Sequence, residues 1–440
     1  MIVAYEARVL SMRSFLRACI ALGLPLVAFV AVAQPDTGPY PIDDGLAATV
    51  VGTPAKYKAE LPQNLDFEVR SLKPLVERET PDTLRYARPL QYLRVTQDGP
   101  APLAFVIAGT GASALSSKCI MLSSALYAAG YSVVCLPSPT SVIFMLGAAK
   151  YPVPGRMTTD VRDLYKLMQV VRDDLDSETN VTGYALTGWS LGATEAAFIA
   201  RHDVDAGVFN FSRVLLLNPA VDVWASVQRM DQLLAENLEG GIDGIPAFVA
   251  RGLGGLKQLY SSGDPLRFNE DFLYRAYQTK SPQRGDIAAI VGLAFRLSLA
   301  NMAFGADVIT HSDVIVPENV ELGPYDSLDP YIHRSFEMSF DNYFERLLAP
   351  YWNRDGRHVS REQLIAEADL RQIGSYLAAN QDIGVFTSED DPILSADEIT
   401  FLRTTFGERA RIRPHGGHMG NLASANTVAA LQQFFSRPAP

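Results

Sequence analysis

"GYALTGWSLGATEAAFIA" (residues 183–200) passes from β-forming residues into small, helix-compatible ones, and Ser190 stands at the junction between Gly188 and Gly192. A serine held on a sharp strand-to-helix turn needs neighbours without bulk two positions to either side, and such a turn lifts its Oγ clear of a sheet. The same turn aims the backbone N–H of Leu191 at an oxyanion forming beside that hydroxyl. Ala193, one residue beyond Gly192, lets the helix approach the sheet closely. The spacing G-x-S-x-G alone is common; a strand directly before it and a small-residue helix directly after it are the context in which it carries chemistry.

Outward from this turn, short apolar runs alternate with helical periods. "LAFVIA" (103–108) and "YSVVCL" (131–136) read as buried strands, with a helix ending at Gly130 between them. A helix follows from Thr159, where Val161, Leu164, Leu167, Met168 and Val171 recur at helical spacing. After residues 183–200 comes the strand "RVLLL" from Arg213. This rhythm predicts an α/β fold, a doubly wound, mostly parallel sheet with helices on both faces. From Asp222 to Asn380 helix follows helix; strand and helix then alternate again through "IGVFTSEDDP" (383–392), a helix from Ser395, "RARIRP" (409–414), "HGGHMG" (415–420) and a closing helix. A sheet that resumes after such an interval marks the block as an inserted, all-helical cap. The expected organisation is a leader over 12–33, a surface tether over 34–63, core over 64–221, cap over 222–380 and core again over 381–440.

A serine hydroxyl attacks only when a base takes its proton and an acid orients that base. Both are expected late in the chain, at the ends of later strands. One such loop carries Glu389, Asp390 and Asp391, and the next carries His415 and His418. On "GWSLGA", "SEDDPIL" and "GGHMG", and over roughly residues 85–220 and 380–437, the chain resembles the α/β-hydrolase superfamily. The resemblance implies a Ser190–His418–Asp391 triad, because the family's acid commonly stands before a Pro, three positions after a small residue, and its histidine often follows Gly-Gly. Asp390 and His415 are the alternatives. It further implies cleavage of an acyl bond, most often a carboxylic ester, in a small-molecule substrate of hydrophobic character, with no cofactor. Thioesters, peptides, lactones and a non-catalytic binding role stay open. The second oxyanion donor is expected in the loop 108–113, with the N–H of Thr110 as candidate; the family usually has His-Gly where this chain has Ala108-Gly109.

That loop also reads as Gly109-x-Gly111-x-x-Ala114, a dinucleotide fingerprint. The following strand ends in "VVCLPSP", without the acidic residue that would hold a ribose, which argues against a nicotinamide cofactor.

The remaining features bound the setting. With 48% hydrophobic residues and a formal charge of −11, the 440-residue chain can bury a large core and carries no basic stripe, so nucleic acid is not an expected partner. No Cys/His cluster has zinc-ligand spacing, and no metal is expected. From Met12, two arginines, an apolar stretch over 18–30 broken by Pro25, and small residues at Ala31 and Ala33 form a secretory leader pattern, implying export to the periplasm or beyond and no stable membrane span after cleavage. Outside the leader only Cys119 and Cys135 remain, towards one edge of the sheet, as either a disulfide or two small buried side chains. The run "DIAAIVGLAFRLSLANMAF" (286–304), interrupted by Arg296, is expected to be too short and too charged to cross a membrane, and to be buried in the cap or to line an acyl pocket. The aromatic stretch 331–352 is expected to be cap core, and His202, His311, His333 and His358 to be surface or packing residues.

Overall fold

The computed structural model describes residues 40–87, 89–175, 179–248, 273–274, 277–278, 283–354 and 356–436, so the leader expected over 12–33 lies outside the described residues. Strands β1 (Glu68–Leu72), β2 (Leu90–Val95), β3 (Ala101–Ile107), β4 (Ser132–Leu136), β5 (Val181–Trp189), β6 (Arg213–Leu217), β7 (Ile383–Ser388) and β8 (Ala410–Arg413) form one sheet, in the order β1-β2-β4-β3-β5-β6-β7-β8. The β1–β2 and β2–β4 pairs are antiparallel and the other five are parallel.

The continuous apolar runs of the central strands follow from this arrangement, because a strand covered on both faces has no side for a polar residue. Leu103, Phe105, Ile107, Leu186 and Leu216 go to one core; Ala104, Val106, Ala185, Leu215 and Leu217 go to the other. The first core is closed by helices Met157–Leu175 and Leu191–Ala206, the second by Ser117–Ala128 and Ala425–Ser436. Each fully buried Leu, Val or Phe contributes about 1.5–3 kcal/mol relative to exposure, so the central strands dominate what holds the sheet. The chain runs from β3 to β4 on one side and then crosses to β5 on the other side of β3. Such a switch point opens a crevice beyond the C-terminal ends of the two strands.

Cys119, in the first turn of helix Ser117–Ala128, and Cys135, near the end of β4, form a disulfide with their Cα atoms 5.9 Å apart. That decides between the two alternatives the sequence left for this pair.

Between β6 and β7 the chain forms helices Val223–Asn237, Arg284–Thr310, Asp329–Glu337, Phe340–Tyr343, Ala349–Trp352, Arg361–Ala366 and Gly374–Ala379. Tyr343, Phe344 and Trp352 are buried, so most of the aromatic stretch is packing. Two expectations need correction. The run containing Arg296 is not short: helix Arg284–Thr310 has 27 residues and, among the described residues, is the one helix long and apolar enough to cross a membrane by length and composition. It lies against helix Val223–Asn237, where a Cβ on Gly292 would come within 2.6 Å of the backbone N of Leu234. Buried Arg296 places Nη2 2.6 Å from Asp231 Oδ1 and donates through Nη1 to the carbonyl of Phe336 (2.8 Å), so its charge is answered inside the fold.

The second correction concerns the tether. From Tyr40 onward residues 34–63 are built into the molecule: Asp44 accepts from Ala47 N–H (2.9 Å) and starts a helix, Gly45–Val51, while Ile42, Ala47 and Ala48 are at most 1% exposed. Seven helical residues are too few to display a helical period, which is why this Pro- and Gly-rich stretch reads as a loop.

Candidate active site

The strand-to-helix turn has the geometry its glycines require. Ser190 sits at φ 56° and ψ −127°, a region that an L-residue occupies only under strain. A Cβ on Gly188 would overlap the carbonyl of Gly192, and one on Gly192 would lie 2.6 Å from the carbonyl oxygen of Ala108. Ser190 donates its N–H to the carbonyl of Leu217 (2.9 Å), which pins the turn to the end of β6.

The loop after β8 brings His418 Nε2 to 2.9 Å from Ser190 Oγ. On its other side His418 Nδ1 is 3.1 Å from both carboxylate oxygens of Asp391. Asp391 is 2% exposed and accepts from Asn218 Nδ2 (2.8 Å) and from Ile393 N–H (3.2 Å). The alternatives lie elsewhere. Asp390 accepts from the N–H of Gly417 (2.8 Å), and burial pushes its carboxyl above the ordinary range. His415 has a half-exposed side chain, with Nδ1 3.6 Å from Asp390 Oδ2. That pair braces the loop, and His418 reaches the serine.

Three supporting residues were not singled out by sequence reasoning. Asn218, at φ 48° just beyond β6, ties Asp391 to β6 and β7, since its N–H donates to the carbonyl of Phe386 (2.7 Å). Its signal was faint: an Asn before a Pro at a strand end. Thr49 accepts the backbone N–H of His418 (2.8 Å) and donates to the carbonyl of Gly45 (2.7 Å). Thr53 donates to the carbonyl of Gly420 (2.7 Å). The helix read as part of a tether therefore backs the histidine loop, so closely that a Cβ on Gly417 would overlap the carbonyl of Gly45.

Thr110 and Leu191 line the cavity that holds Ser190, and neither N–H is taken by another described residue. The Gly109 loop owes its glycine to close packing, because a Cβ there would lie 2.8 Å from Trp189 Nε1; the N–H of Gly111 is held by Thr140 Oγ1 (2.7 Å). Those contacts account for the fingerprint-like glycines without a dinucleotide. Met157, Val223, Met302, Phe340 and Ile393 give the cavity apolar walls, and the ring of Phe295 stands 6.1 Å from that of His418. So the long helix carries wall residues as well as buried ones. Among the described residues no group of His, Cys, Asp and Glu is placed to hold a metal ion.

Two acids also line this cavity. Burial raises Asp160 to about 8, with the N–H of Gly155 partly opposing, and burial beside Asp160 raises Glu195 well above its ordinary value. In the folded chain Asp160 keeps its proton to about pH 8, whereas unfolded it loses it near 3.8, so stability falls as pH rises between these values. Asp160→Asn keeps an acceptor for Gly155 and removes that titration. Thermal melts from pH 5 to 8 should show a flatter decline for the variant, with a residual slope from Glu195; parallel curves would mean that Asp160 is ionised in the folded chain.

A sheet of this order, with the serine turn after β5, an acid after β7 and a histidine after β8, defines the α/β-hydrolase fold, and this chain has it. No protein-family model matches the chain. No curated protein sequence matches it either. Among solved structures, it is similar to a thermostable esterase from Pseudomonas putida at 15% identity, covering 91% of this chain and 97% of that one with a TM-score of 0.42. A fungal esterase from Rhizomucor miehei matches at 14% identity, 86% of each chain and TM-score 0.41. An esterase from Pyrococcus furiosus matches at 8% identity, 87% of this chain and 97% of the other, also at 0.41.

Proposed function

We propose that the chain is an exported serine hydrolase that cleaves an acyl bond, a carboxylic ester in the first instance, through Ser190, His418, Asp391 and an acyl-enzyme. The observation that carries this reading is the unbroken hydrogen-bond chain from Ser190 Oγ through His418 to buried Asp391. In the mechanism Ser190 Oγ attacks the acyl carbon while its proton passes to His418 Nε2, and Asp391 stabilises the imidazolium through Nδ1–H. The N–H groups of Leu191 and Thr110 receive the oxyanion. His418 then gives its proton to the departing alkoxide, and a water activated by the same nitrogen releases the acid and restores the serine. The helical block 222–380 supplies cavity walls through Trp224, Phe295, Met302 and Phe340, which supports a cap that excludes water and selects substrate. An ester suits the site because these apolar walls offer few partners to a peptide backbone. The leader pattern and the Cys119–Cys135 disulfide, a bond that persists in oxidising compartments, support export.

The test is intact mass after a fluorophosphonate probe, with peptide mapping, beside turnover of p-nitrophenyl esters. One adduct on Ser190 and release of p-nitrophenol are expected. A folded, monodisperse protein that takes no probe and turns over no ester would defeat the proposal.

A further inference from the structure

The cavity beside Ser190 has mostly apolar walls, and its polar lining includes Thr140, Asp160, Ser226 and Glu195. Glu195, one turn into the helix that begins at Leu191, is 1% exposed, and Trp224, at the start of helix Val223–Asn237, is 7% exposed. Both line the same cavity as Ser190. Glu195 Oε2 and Trp224 Nε1 are buried and have no hydrogen-bond partner among the described residues. Buried polar atoms are almost always partnered, so two left over in the wall of one cavity point to a group that arrives with the substrate.

The chemistry of that group follows from what the wall offers. The indole N–H of Trp224 only donates. Burial beside Asp160 pushes the Glu195 carboxyl well above its ordinary value, and in its protonated form a carboxyl both donates and accepts. Asp160, the nearby acid, already accepts from Gly155 N–H (2.8 Å), and no cationic side chain lines the cavity. An incoming carboxylate would find no countercharge. An incoming ammonium would require an ionised Glu195 beside Asp160 between apolar walls. A hydroxyl needs neither, since it accepts from Trp224 and exchanges a hydrogen bond with Glu195.

We propose that the part of the substrate entering this cavity carries a hydroxyl group, received by Glu195 and Trp224. This rests on the serine hydrolase reading above. Glu195 lies five positions beyond Ser190, a helical rise of about 7.5 Å, so a hydroxyl about six bonds from the scissile carbonyl is the spacing to test. Glu195 is thereby a specificity residue, and the apolar walls measure the chain between the two ends.

The experiment compares kcat/KM for two matched pairs: p-nitrophenyl 6-hydroxyhexanoate against p-nitrophenyl hexanoate, and the hexanoyl monoester of butane-1,4-diol against butyl hexanoate. The pairs cover entry of the acyl or the alcohol part. Active sites are first counted with the fluorophosphonate probe in the wild type, Glu195→Met, Glu195→Gln and Trp224→Phe. The wild type is expected to favour the hydroxylated member of one pair by about tenfold or more, because a site built to hydrogen-bond a hydroxyl rejects the analogue without it. Glu195→Met should erase that preference, Glu195→Gln should keep most of it, and Trp224→Phe should lose part. A wild type that labels but discriminates in neither pair would overturn the proposal even if Glu195→Met fails to fold. So would a preference that survives in Glu195→Met. A wild type that does not label defeats the hydrolase reading instead, and the two failures are told apart by that first titration.

Discussion

Asp391→Asn is expected to lower kcat by about 10⁴-fold, while Asp390→Asn leaves it within about tenfold of the wild type. The two acids are neighbours on one loop, yet only Asp391 lies within hydrogen-bond distance of a ring nitrogen of the histidine that reaches Ser190. An amide at 391 removes the charge that stabilises the imidazolium. It also sets an N–H against Nδ1, which favours the tautomer with a proton on Nε2 and leaves no acceptor for the serine. At position 390 the carboxylate works on the backbone, accepting from Gly417 and Gly416, and an Asn oxygen can still accept there. Steady-state ester turnover normalised to titrated active sites separates the two. A larger loss in Asp390→Asn than in Asp391→Asn would overturn the assignment of the acid.

Gly192→Ala should damage both stability and catalysis. The new methyl would fall on the backbone carbonyls of Ile107 and Ala108, neither of which can rotate away, so the helix must lift from the end of β3. Overpacking of this kind costs on the order of 1–3 kcal/mol. The end of β3 leads into Gly109 and Thr110, so the lift also displaces one oxyanion donor and should lower kcat by roughly 100-fold. Gly183→Ala, where nothing stands within 4 Å of the added carbon, is the control and should be close to neutral. Denaturant unfolding and ester turnover of both variants decide the matter; a Gly192→Ala protein as stable and as active as the control would sink it.

The parts of this molecule that could be read from the sequence are those whose signal is local. Gly188 to Gly192 announces its turn because the steric demand falls two positions to either side of Ser190, and the sheet announces itself because buried strands are apolar at nearly every position. Ser190 and the loop holding His418 were therefore legible from the residues, while the choice of Asp391 over Asp390 leaned on a family resemblance and became a geometric statement only in the folded chain. Thr49 carried no signal, since its partner lies 369 residues away and its helix is too short for a period. Glu195 was not singled out in the sequence, because its acidic neighbour Asp160 lies 35 residues earlier and only the fold brings the two together. Cys119 and Cys135 were placed at the same edge of the sheet, but only coordinates could decide whether they were joined.

The contact of Thr49 with His418 also orders events in time. Thr49 and the histidine loop lie 369 residues apart, and closing so long a loop is slow compared with forming the neighbouring helices. On the proposed mechanism, His418 is thus seated only after these two distant segments have met. For the proposed hydrolase, ester turnover during refolding is therefore expected to appear with the closing of that contact and to serve as a clock for it.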